Sequence, residues 1–186
     1  ANIDHDILEK ILRKHIGDRD TLTLLSEVIC SFNTSGETGI GLPLGNLTSQ
    51  LLVNVYMNEF DQFIKRTLKI KYYIRYADDF VILSGNKNYL INLIPQISKF
   101  IQEKLKLELH PQKVSIRTFA SGIDFLGWVQ FSYNKFLRTK TKHSMFRRIE
   151  EHQTKETIHS YLGFLSHGNA YRIQEKLKRE YLSDES

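Results

Sequence analysis

The stretch Tyr76-Ala77-Asp78-Asp79-Phe80 interrupts an otherwise continuous β pattern with two adjacent acids. Aromatic and β-branched residues dominate both flanks, over residues 71–76 and 80–84, and this composition is typical of strands. The pattern predicts a tight hairpin over about residues 71–84 with both acids at its tip. No other stretch of the chain constrains its fold and its chemistry as strongly.

This pair of acids favours a metal site. Two carboxylates held together repel each other unless cations lie between them. Mg²⁺ takes hard oxygen ligands and usually shares them with substrate phosphates, and Mn²⁺ could substitute for it. Polymerases use such a pair to hold two metal ions about 3.5–4 Å apart. The alternative is an ordinary Asp-Asp turn, because Asp is common in turns.

A glycine-rich segment over residues 39–50 precedes the hairpin and reads Gly-Ile-Gly-Leu-Pro-Leu-Gly-Asn-Leu-Thr-Ser-Gln. Its glycines and proline predict a loop whose backbone could approach a ligand closely. Thr48 or Ser49 is the predicted N-cap of a helix over residues 48–68. A helix N-terminus after such a loop favours phosphate, although an ordinary loop-to-helix junction remains the alternative. The residues expected on the core side of this helix are Leu51, Leu52, Val55, Tyr56 and Phe60.

In this order, the glycine-rich loop, the helix and Tyr-Ala-Asp-Asp resemble the palm of a bacterial reverse transcriptase. The pattern from Gly45 to Ser49-Gln50 is most similar to the diversity-generating retroelement branch, since group II intron and retron enzymes more often end this motif in Ser-Pro. Residues 109–113, 125–128 and 160–167 resemble, respectively, the lysine segment near the triphosphate, the primer-grip hairpin and a thumb-helix signature. The resemblance covers essentially the whole chain.

The resemblance implies an RNA-directed DNA polymerase that extends a DNA or RNA primer on an RNA template, using dNTPs and two Mg²⁺ ions. The implied catalytic residues are Asp78, Asp79 and Lys113, of which the two acids are also the metal ligands. The residues implied to border the nucleotide and the template are Gly45, Asn46, Ser49, Gln50, Tyr76 and Ala77. The implied primer grip consists of Phe125, Leu126, Gly127 and Trp128.

The expected fold class is α+β, with a polymerase palm, a small antiparallel sheet backed by helices, followed by a helical thumb. We expect the partial palm to occupy residues 1–133 and the basic thumb region to occupy residues 134–186. The predicted helices cover about 5–16, 20–32, 48–68, 88–106, 143–152, 154–166 and 169–181. Beyond the first hairpin, a strand is predicted over 114–119, and 125–130 with 136–138 resembles a second hairpin.

The chain carries a formal net charge of +5, which is compatible with a polyanionic partner. Residues 135–148 include six basic side chains and no acid. This stretch is predicted either to contact a nucleic-acid backbone or to be a solvated, flexible linker. The six residues are Lys135, Arg138, Lys140, Lys142, Arg147 and Arg148.

The beginning of the chain resembles the family's sequence just after its first catalytic aspartate. We therefore expect that acid and the fingers upstream of residue 1, and we expect this chain alone to be inactive. Asp4 is predicted to cap a helix rather than to bind metal. Cys30, the single cysteine, is predicted to be a buried small hydrophobe.

The chain shows no signal peptide and no apolar run of membrane length. A location in the cytoplasm, with no membrane partner, is therefore expected, and the resemblance implies a bacterial or phage-encoded protein. The retroelement resemblance adds a small helical accessory protein as a partner. The alternatives left open are a noncatalytic RNA-binding remnant, a group II intron or retron-type enzyme, and another palm-type enzyme such as a cyclase.

Overall fold

A computed structural model describes residues 2–33, 38–42 and 46–182. The chain divides into two compact units, Ala1–Ile116 and Arg117–Ser186. This structural boundary lies ahead of the predicted functional boundary at residues 133 and 134. The difference arises because Trp128 belongs to the core of the second unit, so the strands around it fold with the helices that follow. The assignment of palm and thumb remains a prediction.

The first unit combines helices with one antiparallel hairpin. Its elements are α1 (His5–Arg13), α2 (Arg19–Cys30), α3 (Leu47–Gln62), β1 (Tyr72–Tyr76), β2 (Asp79–Leu83) and α4 (Lys87–Leu105). A π-helical turn, Phe63–Thr67, extends α3. The side chain of Asp4 accepts a hydrogen bond from the Ile7 amide at 3.0 Å, which confirms its predicted capping role. Asp4 also pairs with Lys106 at 2.5 Å and so ties the start of α1 to the end of α4.

The core of the first unit forms around α3. Tyr56 and Phe60 are completely buried there, and burying each such ring stabilises the fold by about 1.5–3 kcal/mol. The Tyr56 hydroxyl donates to the Leu105 carbonyl at 2.7 Å and thereby links α3 to α4. Phe60 also contacts Tyr73 and Phe80 of the hairpin, at ring-centroid distances of 6.0 and 5.0 Å. The hairpin is therefore anchored to α3 by one face.

The second unit is a three-stranded antiparallel meander with three helices. Its elements are a 3₁₀ turn (Phe119–Ser121), β3 (Ile123–Phe125), β4 (Trp128–Gln130), β5 (Lys135–Leu137), α5 (Thr139–Glu151), α6 (Lys155–Leu165) and α7 (Tyr171–Tyr181). Trp128 packs in its core with Met145, Ile149 and Leu165. No helix in the described parts of either unit is both long enough and apolar enough to cross a membrane.

Three local predictions on the first unit were wrong. Helix α3 begins at Leu47, one residue earlier than expected, and its N-cap is Asn46 instead of Thr48 or Ser49, so Ser49 lies inside the helix. Leu51 is 64% exposed instead of facing the core, since the buried side of α3 runs through Leu52 and Tyr56. Cys30 is exposed because Ile29, its neighbour on α2, occupies the buried position.

Further predictions on chain conformation also require correction. Residues 114–119 form no strand, because the sheets in the described parts of the chain contain only β1 with β2 and β3 with β4 and β5. Residues 125–130 are not one strand, because a two-residue turn at Leu126 and Gly127 separates β3 from β4. The basic stretch forms β5 and the first ten residues of α5, so it is not a flexible linker. The predicted hairpin over about 71–84 is confirmed.

Candidate functional site

The two adjacent acids lie at the tip of the first hairpin. Strands β1 and β2 pair from Tyr72 with Leu83 to Tyr76 with Asp79, so Ala77 and Asp78 form the two-residue turn. Asp79 begins β2 and shares a face with Tyr76, because directly opposed residues point to the same side of a sheet. Both acids are exposed. Neither carboxylate has a hydrogen-bond or ion-pair partner among the residues that the structure describes, so both are available to a ligand.

The turn requires an unusual backbone conformation. Ala77 has φ 51°, in the left-handed region that costs a residue with a Cβ about 1–2 kcal/mol. Glycine is the usual occupant of such a position in a two-residue hairpin. Interactions elsewhere must therefore hold the backbone of Ala77 in place.

The side chain of Arg75 supplies these interactions. Its Nη1 donates to the Ala77 carbonyl at 2.7 Å and to Asn54 Oδ1 at 3.1 Å. Its Nε and Nη2 donate to the two carboxylate oxygens of Asp61 at 2.8 and 2.6 Å. Tyr73 donates its hydroxyl to the same carboxylate at 2.6 Å. Asn54 and Asp61 both belong to α3, so the turn is tied to the central helix of the unit.

The electrostatics of this network keep Asp61 and Arg75 charged and the Tyr73 hydroxyl protonated. Burial alone would raise the pKa of Asp61, but hydrogen bonds from Arg75 and Tyr73 outweigh it and hold that pKa below its usual value. The hydrogen bond from Arg75 to Asp61 raises the pKa of the guanidinium. Burial, reinforced by the Asp61 carboxylate, raises the pKa of the Tyr73 hydroxyl. The arginine side chain is 9% exposed, so water competes little for its donors.

The predicted nucleotide-binding residues at the start of α3 have different environments. Asn46 and Gln50 are exposed, and Gln50 lies one turn before Asn54 on the same face of α3. That face contacts the hairpin turn through Asn54 and Arg75. Ser49 is 7% exposed, and its Oγ has no hydrogen-bond partner in the described ranges. Gly45 lies outside the described residues.

The structure does not connect Lys113 to the acids. Lys113 is exposed in a turn that its amide closes on the His110 carbonyl at 2.9 Å. Within the described ranges, its side chain has no hydrogen bond or ion pair with Asp78 or Asp79. Its predicted role at the triphosphate therefore remains a prediction.

The donor set at the turn fits a shared Mg²⁺ site rather than a closed one. Residues 2–33, 38–42 and 46–182 contain no cluster of three or more His, Cys, Asp or Glu side chains arranged to hold a metal. Mg²⁺ commonly uses one or two carboxylates and takes its other oxygens from substrate phosphates and water. Asp78 and Asp79 present this kind of donor set, because both are exposed and without partners in the fold.

The predicted primer grip forms the first hairpin of the second unit. Phe125 pairs with Trp128, and the turn residues Leu126 and Gly127 have φ 53° and 81°. The Trp128 side chain is 4% exposed and lies 5.3 Å from the Phe164 ring centroid. Trp128 therefore anchors the hairpin in the core, while Leu126, which is 41% exposed, is available at the tip.

The predicted backbone-binding residues cluster on β5 and α5. Lys135 is half-buried, with its Nζ 5.5 Å from the Trp128 ring centroid, and Arg138 pairs with Asp124 at 2.9 Å. The exposed basic residues of α5 are Lys140, Lys142, Arg147 and Arg148. The first turn of α5 contains no acid, although acids are favoured at a helix N-terminus. This end of α5 is therefore a favourable surface for a polyanion.

Sequence reasoning missed Arg75, Asp61 and Asn54. One signal was available, because strand alternation places Arg75 on the same face as the core-packed Tyr73. A buried arginine needs a partner, and α3 was the nearest element with an acid. The sequence did not indicate which acid of α3 would meet it.

Comparison with known proteins identifies the family of this chain. The family described as "Reverse transcriptase (RNA-dependent DNA polymerase)" matches residues 1–130. The match covers most of the chain and includes both hairpin tips. The chain therefore belongs to the reverse transcriptase family.

The curated relatives agree with this membership. Protein YkfC of Escherichia coli (strain K12) is 27% identical, over 79% of this chain and 46% of that protein. The group II intron-encoded protein LtrA of Lactococcus lactis subsp. cremoris is 24% identical, over 68% of this chain and 32% of that protein. A putative COX1/OXI3 intron 2 protein of Saccharomyces cerevisiae is 20% identical, over 68% of this chain and 22% of that protein. The chain thus spans less than half the length of these relatives.

Proposed function

We propose that this chain forms the catalytic palm and the thumb region of an RNA-directed DNA polymerase. The observation that supports this most strongly is the pair of exposed, unpartnered acids at a turn held by Arg75, within the family match. In this proposal, Asp78 is the main metal ligand from this chain and Asp79 supports it. Residues 1–133 act as the palm with its primer grip, and residues 134–186 act as the thumb.

When bound, two Mg²⁺ ions, or Mn²⁺ in their place, would stabilise charge on the attacking primer 3′-oxygen and on the pyrophosphate leaving group. The protein holds the carboxylates where such ions and the triphosphate can share them. Ala77 adds little bulk beside the acids, which leaves room for a primer end. Tyr76 is 64% exposed on the same face as Asp79 and offers a ring against which a nucleotide can pack.

The surroundings of the hairpin supply the remaining roles. Gln50 lies on the face of α3 that meets the turn, so we assign it, with Asn46, Ser49 and Gly45, to the template base and the incoming nucleotide. Lys113 supplies positive charge to the triphosphate. In the second unit, Leu126 contacts the primer strand, while Phe125, Gly127 and Trp128 hold the turn in shape.

The basic surface of α5 supports binding of a template–primer duplex. Its exposed lysines and arginines suit the phosphates of an A-form helix, which proteins recognise mostly by shape and backbone. Binding through such residues weakens as salt rises. The proposed ligands are an RNA template with a DNA or RNA primer.

A group II intron type of enzyme is the second candidate for the sub-branch. It is favoured by two of the relatives, which are a group II intron-encoded protein and a putative intron protein. The comparisons leave the diversity-generating retroelement branch a prediction, together with its accessory protein. The cytoplasmic setting is likewise a prediction.

Primer extension on an RNA template tests the proposal, using the complete product of the gene that encodes this chain. Asp78→Asn should reduce DNA synthesis by at least about 100-fold, the scale on which preorganised electrostatic groups act. RNA binding, measured by fluorescence anisotropy, should stay at the wild-type level. Asp20→Asn is the matched control, because Asp20 is an exposed acid on α2 and should leave synthesis unchanged.

Two results would overturn the proposal. Wild-type synthesis by Asp78→Asn would show that this acid is not a catalytic ligand. A folded wild-type protein that binds RNA but makes no DNA would favour a noncatalytic RNA-binding remnant.

A further inference from the structure

The side chain of Arg75 joins the proposed metal-binding turn to the central helix of the first unit. It is 9% exposed and lies on the core-facing side of β1, where it pairs across the hairpin with Phe80. From there it folds back to the carbonyl of Ala77, the residue directly before Asp78. Among the residues that the structure describes, this hydrogen bond is the one that joins a side chain to the backbone of the turn.

We infer that Arg75 is a positioning residue for the cation site, holding the Ala77–Asp78 peptide in the left-handed turn so that both carboxylates face a common ligand. Asp61 and Asn54 of α3 fix the guanidinium in turn. The inference rests on the proposed function, because it takes Asp78 and Asp79 as the cation ligands.

The shape of the guanidinium accounts for the choice of arginine. Nε and Nη2 grip both oxygens of Asp61, while Nη1 is shared between Asn54 and the Ala77 carbonyl. Only a planar fork with several fixed donors can meet a carboxylate in two places and still reach the turn. Lysine has the same charge but presents it as a point on a flexible stem, so it should not hold the Ala77 carbonyl at a fixed orientation.

The charge of Arg75 allows positioning to be separated from simple electrostatics. A cation near an acid pair repels Mg²⁺, so electrostatics alone predicts that removing Arg75 strengthens metal binding. Positioning predicts the opposite sign, because the freed turn no longer holds the two carboxylates together. Residues that orient metal ligands typically change metal affinity by about 10- to 100-fold.

The test measures Mn²⁺ affinity of the whole chain by electron paramagnetic resonance, with the amide NMR shift of Asp78 recorded without metal. Arg75→Met and Arg75→Lys should each weaken binding by about 10-fold or more and should move the Asp78 amide resonance. Arg13→Met is the matched control, since Arg13 is a surface arginine paired with Glu9 and should change neither readout. Asp78→Asn tests the cation site itself.

A second substitution separates a positioning role from general loosening of the fold. Ala77→Gly in the Arg75→Lys background should restore part of the lost affinity, because glycine adopts a positive φ without a Cβ penalty. Recovery would support the role of Arg75 at the turn. If Ala77→Gly restores none of the Mn²⁺ affinity that Arg75→Lys loses, the loss comes from general loosening of the fold. That result would overturn the positioning role of Arg75.

The outcomes distinguish the inference from the proposed function. If Arg75→Met and Arg75→Lys bind Mn²⁺ as tightly as the wild type or more tightly, while Asp78→Asn does not bind, the positioning role is wrong and the cation site stands. If Asp78→Asn binds Mn²⁺ like the wild type, the acid pair is not the cation site and the proposed function fails with it.

Discussion

Each unit contains a hairpin with a two-residue turn. Both turns place a residue other than glycine at positive φ, but different interactions stabilise them. Ala77 and Leu126 occupy the first turn position with φ 51° and 53°, a backbone conformation that is unfavourable for a residue with a Cβ. The second position is Asp78 in one hairpin and Gly127, with φ 81°, in the other. The first turn thus has the carboxylate of Asp78 at the position where the second turn has Gly127, which has no side chain.

The two turns differ correspondingly in what holds them. The first is held by the Arg75 side chain, which binds its carbonyl and is itself fixed by Asp61. The second is held by backbone, since the Arg138 amide donates to the Gly127 carbonyl at 3.0 Å, and by Trp128 in the core beside it. The turn that presents a carboxylate depends on a side-chain network, whereas the turn with glycine depends on a backbone hydrogen bond from Arg138 and on the packing of Trp128.

The largest expected effect is on the support of the second hairpin. A Cβ at Gly168 would lie 2.2 Å from Cζ3 of Trp128 and 2.7 Å from two other ring carbons. Because this ring is buried, Gly168→Ala should lower the free energy of unfolding of the second unit by about 3 kcal/mol. Trp128 is the only tryptophan in the chain, so its fluorescence during urea unfolding reports on this unit.

The control for this substitution is Gly163→Ala. Gly163 lies within α6 and a Cβ there meets nothing within 4 Å, so alanine should stabilise the helix by up to about 1 kcal/mol. Equal stability of Gly168→Ala and wild type would show that the tryptophan does not support its hairpin as described.

The next effect concerns the network under the first turn. Arg75→Met should lower the free energy of unfolding of the first unit by about 2–3 kcal/mol, because it removes the charged partner of the half-buried Asp61 carboxylate, which keeps only the Tyr73 hydroxyl as a partner among the described residues. Circular dichroism during urea unfolding measures the loss. Stability equal to wild type would show that this network does not support the first hairpin as described.

Acid pH should reduce the difference between Arg75→Met and wild type. The pKa of Asp61 is lowered in the folded protein, so the stability it contributes is present above the ordinary Asp pKa of about 3.9. That contribution is lost as pH falls through the lower, folded pKa. The difference in unfolding free energy, taken from unfolding curves, should therefore begin to shrink as pH falls below about 3.9, and a difference that stays constant into this acid range would exclude the ion pair as its source.

A smaller effect is expected at the second turn itself. Gly127→Ala would add a Cβ at positive φ, 3.1 Å from Thr141 Oγ1. We expect a loss of about 1–2 kcal/mol, mostly from the left-handed backbone, again measured by Trp128 fluorescence. Stability equal to wild type would mean that this turn, like the first, is held by side chains.

The smallest effect tests whether the second hairpin has an equivalent of Arg75. Arg138 and Asp124 form an ion pair at 2.9 Å, but their side chains are 45% and 40% exposed. Exposed pairs contribute about 0–1 kcal/mol, so Arg138→Met should change the unfolding free energy by no more than about 0.5 kcal/mol. A loss as large as that of Arg75→Met would remove the contrast between the two turns.

Sequence patterns predicted the parts of this molecule that depend on local chemistry. The acid pair between apolar flanks indicated the first hairpin, and Asp4 ahead of an apolar helical pattern indicated a cap. The network of Arg75, Asp61 and Asn54 was not predicted, because it depends on the rotation of α3 against β1. The pattern of residues 114–119 also predicted a strand, but strand propensity needs a paired neighbour and none was found there.

Burial on the helices was predictable only in part. Leu52 and Leu51 are adjacent and equally apolar, yet one is buried and the other is 64% exposed. Their difference is set by the angle of α3 against the hairpin and α4. On α2, the rotation of the helix about its own axis places Cys30 outside the core while Ile29 is inside it.

Mn²⁺ paramagnetic broadening of the amide NMR spectrum tests the central claim most directly, because it locates a bound cation along the chain. The account predicts broadening centred on residues 77–79 at low Mn²⁺, and its loss in Asp78→Asn. Broadening centred on other acids, or unchanged broadening in Asp78→Asn, would contradict the assignment of the Asp78–Asp79 turn as the cation site.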